Sequence, residues 1–202
     1  EETESKFPEI VKNIAIIYKQ LGQNDMALAA IETARASNPD DVGLIITAAN
    51  IYFELDDKEA FKLAMSEAID KEPNNPILYY NLGVVSGELG EKESARTYYE
   101  KSIELDPTNE NSYLNLVALI LDAEQEIVNE MNSLGTSKSD NERYDELKIT
   151  REELYKECVP ILKDLIAISK DIEAIRTLMN IYGTLGDNTG YMEMKNLLDQ
   201  LQ

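Results

Sequence analysis

Three prolines stand 34 residues apart, at Pro39, Pro73 and Pro107. Each lies in a related phrase: Ala-Ser-Asn-Pro39-Asp, Asp-Lys-Glu-Pro73-Asn-Asn and Glu-Leu-Asp-Pro107-Thr-Asn. Each phrase closes one apolar run of helical spacing and precedes another. Proline lacks an N–H and clashes with the turn before it, so it cannot continue the preceding helix. The Asn or Asp after it can accept from the free N–H groups that open the next. A fixed period of this length marks a chain that stacks units instead of enlarging one core.

Each unit reads as two helices. Between residues 76 and 107 the large and small core positions fall at Tyr79, Leu82, Gly83 and Val85, then Ala95, Tyr98, Tyr99 and Ile103. Leu89-Gly90 separates the two runs, and glycine suits the left-handed residue that ends a helix. The unit is an αα-hairpin about 34 residues long.

These residues resemble the tetratricopeptide repeat (TPR) family, of a bacterial type with an extended fourth hairpin. The family pattern is a large residue, Leu-Gly and Tyr in the first helix, followed by Ala, an aromatic and Pro. Residues 76–109 match at Tyr79, Leu82-Gly83, Ala95, Tyr99 and Pro107 and depart at Ser86. Residues 8–41 match at Ala15, Tyr18, Leu21-Gly22, Ala27, Ala34 and Pro39, with Val11 and Ile31 as aliphatic replacements. Residues 42–75 match at Tyr52, Ala68 and Pro73. There Ala48-Ala49 replaces Leu-Gly and Phe61 fills a small-residue position, which predicts slightly different packing.

A fourth unit starts at Tyr113, Leu116 and Ile120 but has Asp122-Ala123-Glu124 where it should turn. Apolar residues continue at Ile127, Val128, Met131 and Leu134. The turn comes at 135–140, and a return run carries Tyr144, Leu147, Leu154, Cys158, Ile161, Leu162, Leu165 and Ile168. This predicts a hairpin lengthened by about 29 residues, with two helices of ~25 residues, each nearly 40 Å long, and a kink at Pro160. The family pattern returns at Ile175, Leu178, Tyr182 and Leu185-Gly186, and 190–202 reads as a capping helix. The expected fold is an all-α TPR solenoid of about five repeats. It forms one domain over 1–202, with units 8–41, 42–75, 76–109, 110–171 (the extended hairpin) and 172–202. The resemblance implies a right-handed superhelix whose inner face is lined by each first helix.

Composition removes several function classes. The net charge is −20, from 39 acids and 19 bases, which opposes a nucleic-acid backbone or an anionic lipid surface. It fits solubility, or a preference for a basic partner. There is no His, so Ser-His and Cys-His nucleophile pairs and His-ligated zinc are absent. Cys158 stands alone and reads as a buried core residue. No Gly-rich phosphate loop or EF-hand loop is present. The expectation is a non-enzymatic protein with no cofactor and no metal. No apolar run reaches the ~18 residues of a membrane span. The chain starts Glu-Glu-Thr-Glu without an initiator Met, as a processed or trimmed chain would. The compartment is left open between cytoplasmic and exported or periplasmic.

The period aligns three sets of positions that the resemblance places on the inner face. Asn13, Thr47, Asn81 and Asn115 stand 34 apart. An amide donates and accepts, so this set could pair with an extended peptide backbone, or could tie neighbouring helices together. Glu54, Glu88 and Asp122 repeat likewise, with Gln20 in the first unit. They form either an acidic stripe that draws a Lys- or Arg-bearing ligand or a solvated polar face. Ile16, Ile46, Phe53, Tyr80, Val84, Leu114 and Leu121 form an apolar set, either groove or core, and Asn50 joins them on the groove. The family's basic clamp for chaperone tails needs Lys, Asn, Asn, Lys and Arg across three first helices. From the first unit only Lys12 fits, since Ile16, Thr47, Ile77 and Asn81 follow. From the second, Asn50 and Asn81 fit, but Ile46, Asn111 and Asn115 hold the cationic positions. A chaperone-tail receptor is therefore rejected. The expected function is a protein-interaction scaffold whose concave groove holds an apolar or basic peptide or helix. The alternative is self-assembly through the extended hairpin 117–168, giving a homo-oligomer.

Overall fold

The computed structural model describes residues 7–201, and among these there are ten α-helices and no strand. No helix among the described residues is long and apolar enough to cross a membrane. The chain divides into two compact units, Glu1–Leu105 and Asp106–Gln202.

The first unit holds α1 (Phe7–Gln20), α2 (Asn24–Ser37), α3 (Val42–Glu54), α4 (Lys58–Lys71), α5 (Pro76–Glu88) and α6 (Lys92–Leu105). They pair as three hairpins. The starts are capped from the proline phrases: Asp41 accepts from the Leu44 N–H at 3.0 Å, and Asn75, just before Pro76, from the Ile77 N–H at 3.1 Å. Asp57 caps α4 in the same way. Such caps satisfy donors that a helix start leaves free. The turns inside the hairpins obey the period as well. Gly22 and Gly90 take φ of 70° and 77°, and Asp56, midway between them in register, takes 57°. A left-handed residue is needed there, and Asp tolerates it better than most non-glycines.

Two core clusters follow from the stacking. Val11, Ala15, Ala27, Ile31 and Ala34 of the first hairpin meet Leu44, Ala48 and Ile51 of α3. Phe61, Ala64, Met65 and Ala68 of the second, with Ile45 and Ala49, meet Leu78, Leu82 and Val85 of α5. Gly83 is required because Tyr99 lies against it: a Cβ there would sit 2.6 Å from the ring. Ser86 occupies the position held by Tyr18 and Tyr52 in the earlier units. It is fully buried, and its hydroxyl has no partner among the described residues.

The second unit holds α7 (Glu110–Ser133), α8 (Lys138–Ser169), α9 (Ile172–Leu185) and α10 (Asn188–Leu201). The lengthening is unequal, contrary to the even arms expected: α7 has 24 residues and α8 has 32. Glu124 holds the register position of Gly22, Asp56 and Gly90, and the helix runs through it. The reversal comes only at Leu134–Ser137, where Ser137 and Asp140 make reciprocal cap bonds to each other's backbone N–H. Pro160, where a kink is expected, lies inside one continuous helix and is exposed. Water can take the carbonyl that its missing N–H leaves free.

The arms of the extension are joined mainly by polar contacts. Arg143 makes a two-pronged contact with Glu130 at 2.7 and 3.1 Å and reaches Glu146. Arg151 donates to Glu124 at 2.9 Å and to the Tyr155 hydroxyl, which itself donates to Glu124. Leu147 and Tyr155 are the buried side chains of this stretch, while Ile127, Val128, Met131 and Leu134 are half-buried.

Candidate functional site

Asn50 and Phe53 of α3 lie three residues apart, one helical turn, and Tyr80, Asn81 and Val84 lie on α5. The structure brings these five together around a cleft of ≈ 180 Å³, with Phe61 and Val85 forming its floor. The 34-residue register makes this happen: corresponding faces of consecutive first helices point the same way. Phe53 stays 41% exposed although it is a large apolar residue. It leans on Phe61 at a ring separation of 5.7 Å and a tilt of 58°. Tyr80 leans on Tyr99 at 6.2 Å. Both rings are therefore held at one edge and open at the other. Among the described residues no Lys, Arg, Asp or Glu lines the cleft.

The remaining inner-face positions scatter. Asn13 on α1 is exposed and lies outside the cleft. Thr47 spends its hydroxyl on the Gly43 carbonyl at 2.6 Å, so the amide ladder lacks a free rung there. Ile46 is half-buried and packs on the second core cluster, whereas Ile16 is exposed. Glu54 pairs with Lys19 at 2.6 Å and Glu88 with Lys58 at 3.1 Å. Two acids of the expected stripe thus carry local counter-ions. In the second unit, Asn115 is half-buried and Asp122 exposed on α7.

Two features of the site lie outside the repeat pattern. From sequence Phe61 predicts only an altered packing, yet it forms the floor of the cleft. The signal was its register: Ala27 and Ala95 fill the equivalent positions, so a ring there reaches space that an alanine leaves empty. The pairing of Lys19 and Lys58 with the acids crosses from one helix to another and falls outside the 34-residue alignment.

Cys158 is buried, and burial first, with Glu157 and Glu124 adding to it, pushes its thiol up to about 12. It is a neutral core residue at ordinary pH and no nucleophile. Among the described residues no cluster of metal-ligating side chains occurs.

The sequence fits the family model of the tetratricopeptide repeat over residues 13–41 and 77–109. These stretches contain the Leu-Gly, Ala, Tyr and Pro positions that build the hairpins above. Over these stretches the chain carries tetratricopeptide repeats. Solved structures agree on the fold. The crystal structure of MamA protein is 14% identical, with 96% of this chain and 91% of that one aligned at a TM-score of 0.65. YrrB, described as a TPR protein with an unusual peptide-binding site, is 15% identical, with 100% and 89% aligned at 0.63. The first TPR of Spaghetti (RPAP3), bound to the HSP90 peptide SRMEEVD, is 21% identical, with 59% and 95% aligned at 0.55. Among curated proteins none matches the sequence. The chain thus shares the TPR fold: it is all-α among the described residues and built from helical hairpins, with the fourth one extended.

Proposed function

We propose that this TPR protein is an interaction scaffold, without enzymatic activity, that holds a peptide or helix of a partner protein in the cleft between α3 and α5. The observation that carries the reading is the half-open pair of rings, Phe53 and Tyr80, over a floor of Phe61 and Val85. An apolar side chain entering the cleft would cover Phe53 and the open edge of Tyr80. Asn50 and Asn81, one on each helix, can donate to and accept from the peptide backbone beside it. That combination gives an anchor of the kind that dominates binding energy, with polar groups fixing the orientation. Peptide binding by YrrB and by the RPAP3 repeat supports the same use of the fold.

The chemistry of the ligand is apolar first and basic second. With Glu54 and Glu88 already lysine-paired, the acids bias a partner's approach more than they grip it. An acidic tail such as SRMEEVD is disfavoured, because the cleft offers no cation and the chain carries −20. Self-assembly through 117–168 has weaker support. Only Tyr144 and Ile149 stand out as exposed large apolar residues on the distal part of α8, and the arms already engage each other.

A display library of random peptides, selected on the whole chain, tests the reading. Selected peptides should carry a large apolar residue, and Phe53→Ala should weaken them about tenfold or more. Replacing Glu54 and Glu88 by Gln should change affinity only about two- to threefold, since paired exposed charges contribute little. Peptides that bind Phe53→Ala as well as the native chain would remove the cleft.

A further inference from the structure

α1, with Leu21 just past its end, carries a second apolar face. Phe7, Ile10, Ile14, Ile17 and Leu21 repeat at alternating spacings of three and four, and every one is exposed, from 41% at Ile14 to 65% at Leu21. The 34-residue register shows what such a face does elsewhere. Ile10, Ile14 and Ile17 correspond to Leu44, Ala48 and Ile51 of α3 and to Leu78, Leu82 and Val85 of α5. All six are at most 1% exposed, each set packed on the hairpin before it. The face on α1 is therefore the continuation of an interface that the chain already makes twice. A contiguous stripe of this size exceeds what scattered surface apolar residues account for.

We propose that this face is a self-association seam, closed by α1 of a second copy in a two-fold pair. The three-four spacing is that of a coiled-coil seam, and it is centred on Ile14, so each copy offers a self-complementary stripe. Charge favours this helix as the meeting point. The residues flanking the stripe are Val11, Asn13, Tyr18 and Gln20, none of them charged. α1 has one acid, Glu9, against Lys12 and Lys19, in a chain of 39 acids and 19 bases. Two copies of so acidic a chain repel elsewhere on their surfaces but not along this stripe. Two such faces in contact remove on the order of 1,000 Å², the lower end for a specific interface. The seam is separate from the cleft on α3 and α5, so either reading can fail alone.

Sedimentation equilibrium of the whole chain over a concentration series tests it. The native chain should show a monomer–dimer equilibrium, and Ile14→Glu with Ile17→Glu should weaken association about a hundredfold or more. Both positions are exposed, so circular dichroism should show an unchanged helix content. Should that variant lose helix, Phe7→Ser with Leu21→Ser at the ends of the stripe should still weaken the dimer. A native chain that stays monomeric throughout overturns the seam, as does a dimer that survives the glutamates. The latter would instead place the contact elsewhere, on the extended hairpin for example.

Discussion

The third and fourth hairpins begin alike and end differently. In the third, Tyr79 donates its hydroxyl to the Pro73 carbonyl at 3.0 Å; in the fourth, Tyr113 does the same to Pro107 at 3.3 Å. Both first helices then bury a leucine at the same register position, Leu82 and Leu116. The divergence is at one residue. Gly90 turns left-handed and stops the helix, whereas Glu124 stays helical and engages Arg151 and Tyr155. A repeat period therefore holds only while the turn residue permits it. Once the turn is lost, the helix continues until a new cap, here Ser137 with Asp140, reverses it.

The comparison also separates two kinds of stability. The regular hairpins rest on buried apolar contacts, and the extension on ion pairs around two buried side chains. Leu82→Ala should cost about 2–5 kcal/mol of global stability by leaving a cavity in the shared core. Leu147→Ala, although its leucine is buried to a similar degree (4% exposed against 1%), should mainly lower amide-exchange protection along 127–150, because local opening relieves it. Equal losses in urea unfolding would show that the extension is cooperative with the rest.

The turn residues give a smaller effect of both signs. Gly90→Ala forces a Cβ into the left-handed region and should destabilise by about 1–2 kcal/mol. Asp56→Gly removes that strain and should stabilise by several tenths, roughly 0.5 kcal/mol. Thermal unfolding of the pair measures this. The same direction of change in both would contradict the register that equates the two positions.

The pH effects are the smallest. The hydrogen bond from Arg143, with its charge adding, holds the Glu130 carboxyl below its ordinary value of 4.5. Its contribution is therefore present above that value and lost as pH falls through the lowered one. Exchange protection near 130 and 143 should decline on acidification. The Cys158 thiol moves the other way. Its raised value leaves the folded state fully favoured below the ordinary 9, with stability lost as pH rises towards about 12. A thiol reagent at neutral pH should therefore modify Cys158 only after unfolding.

Much of this was legible in the residues. The prolines, the Leu-Gly pairs and the small residues at register positions specify helix ends and packing distances, so the hairpins follow from them. The missing turn at 122–124 marked the extension, but its unequal arms depend on where a cap forms, and Ser137 is one of several candidates in 135–140. The cleft was half legible. Asn50, Phe53, Tyr80, Asn81 and Val84 share a face by periodicity alone. Whether they converge depends on Phe61 and Tyr99, which arrive from second helices. Charge was the least legible part, since Lys19 and Lys58 meet Glu54 and Glu88 only through the tertiary fold.

The central claim is that the cleft on α3 and α5 receives an apolar side chain of a partner peptide. Its most direct test is a two-dimensional NMR titration of the whole chain with a library-selected peptide. Side-chain amide signals of Asn50 and Asn81 and ring signals of Phe53 and Tyr80 should shift together and saturate at one stoichiometry, with those of Asn115 unmoved. Shifts confined to α7 and α8, with Phe53 and Tyr80 unchanged at saturation, would contradict it.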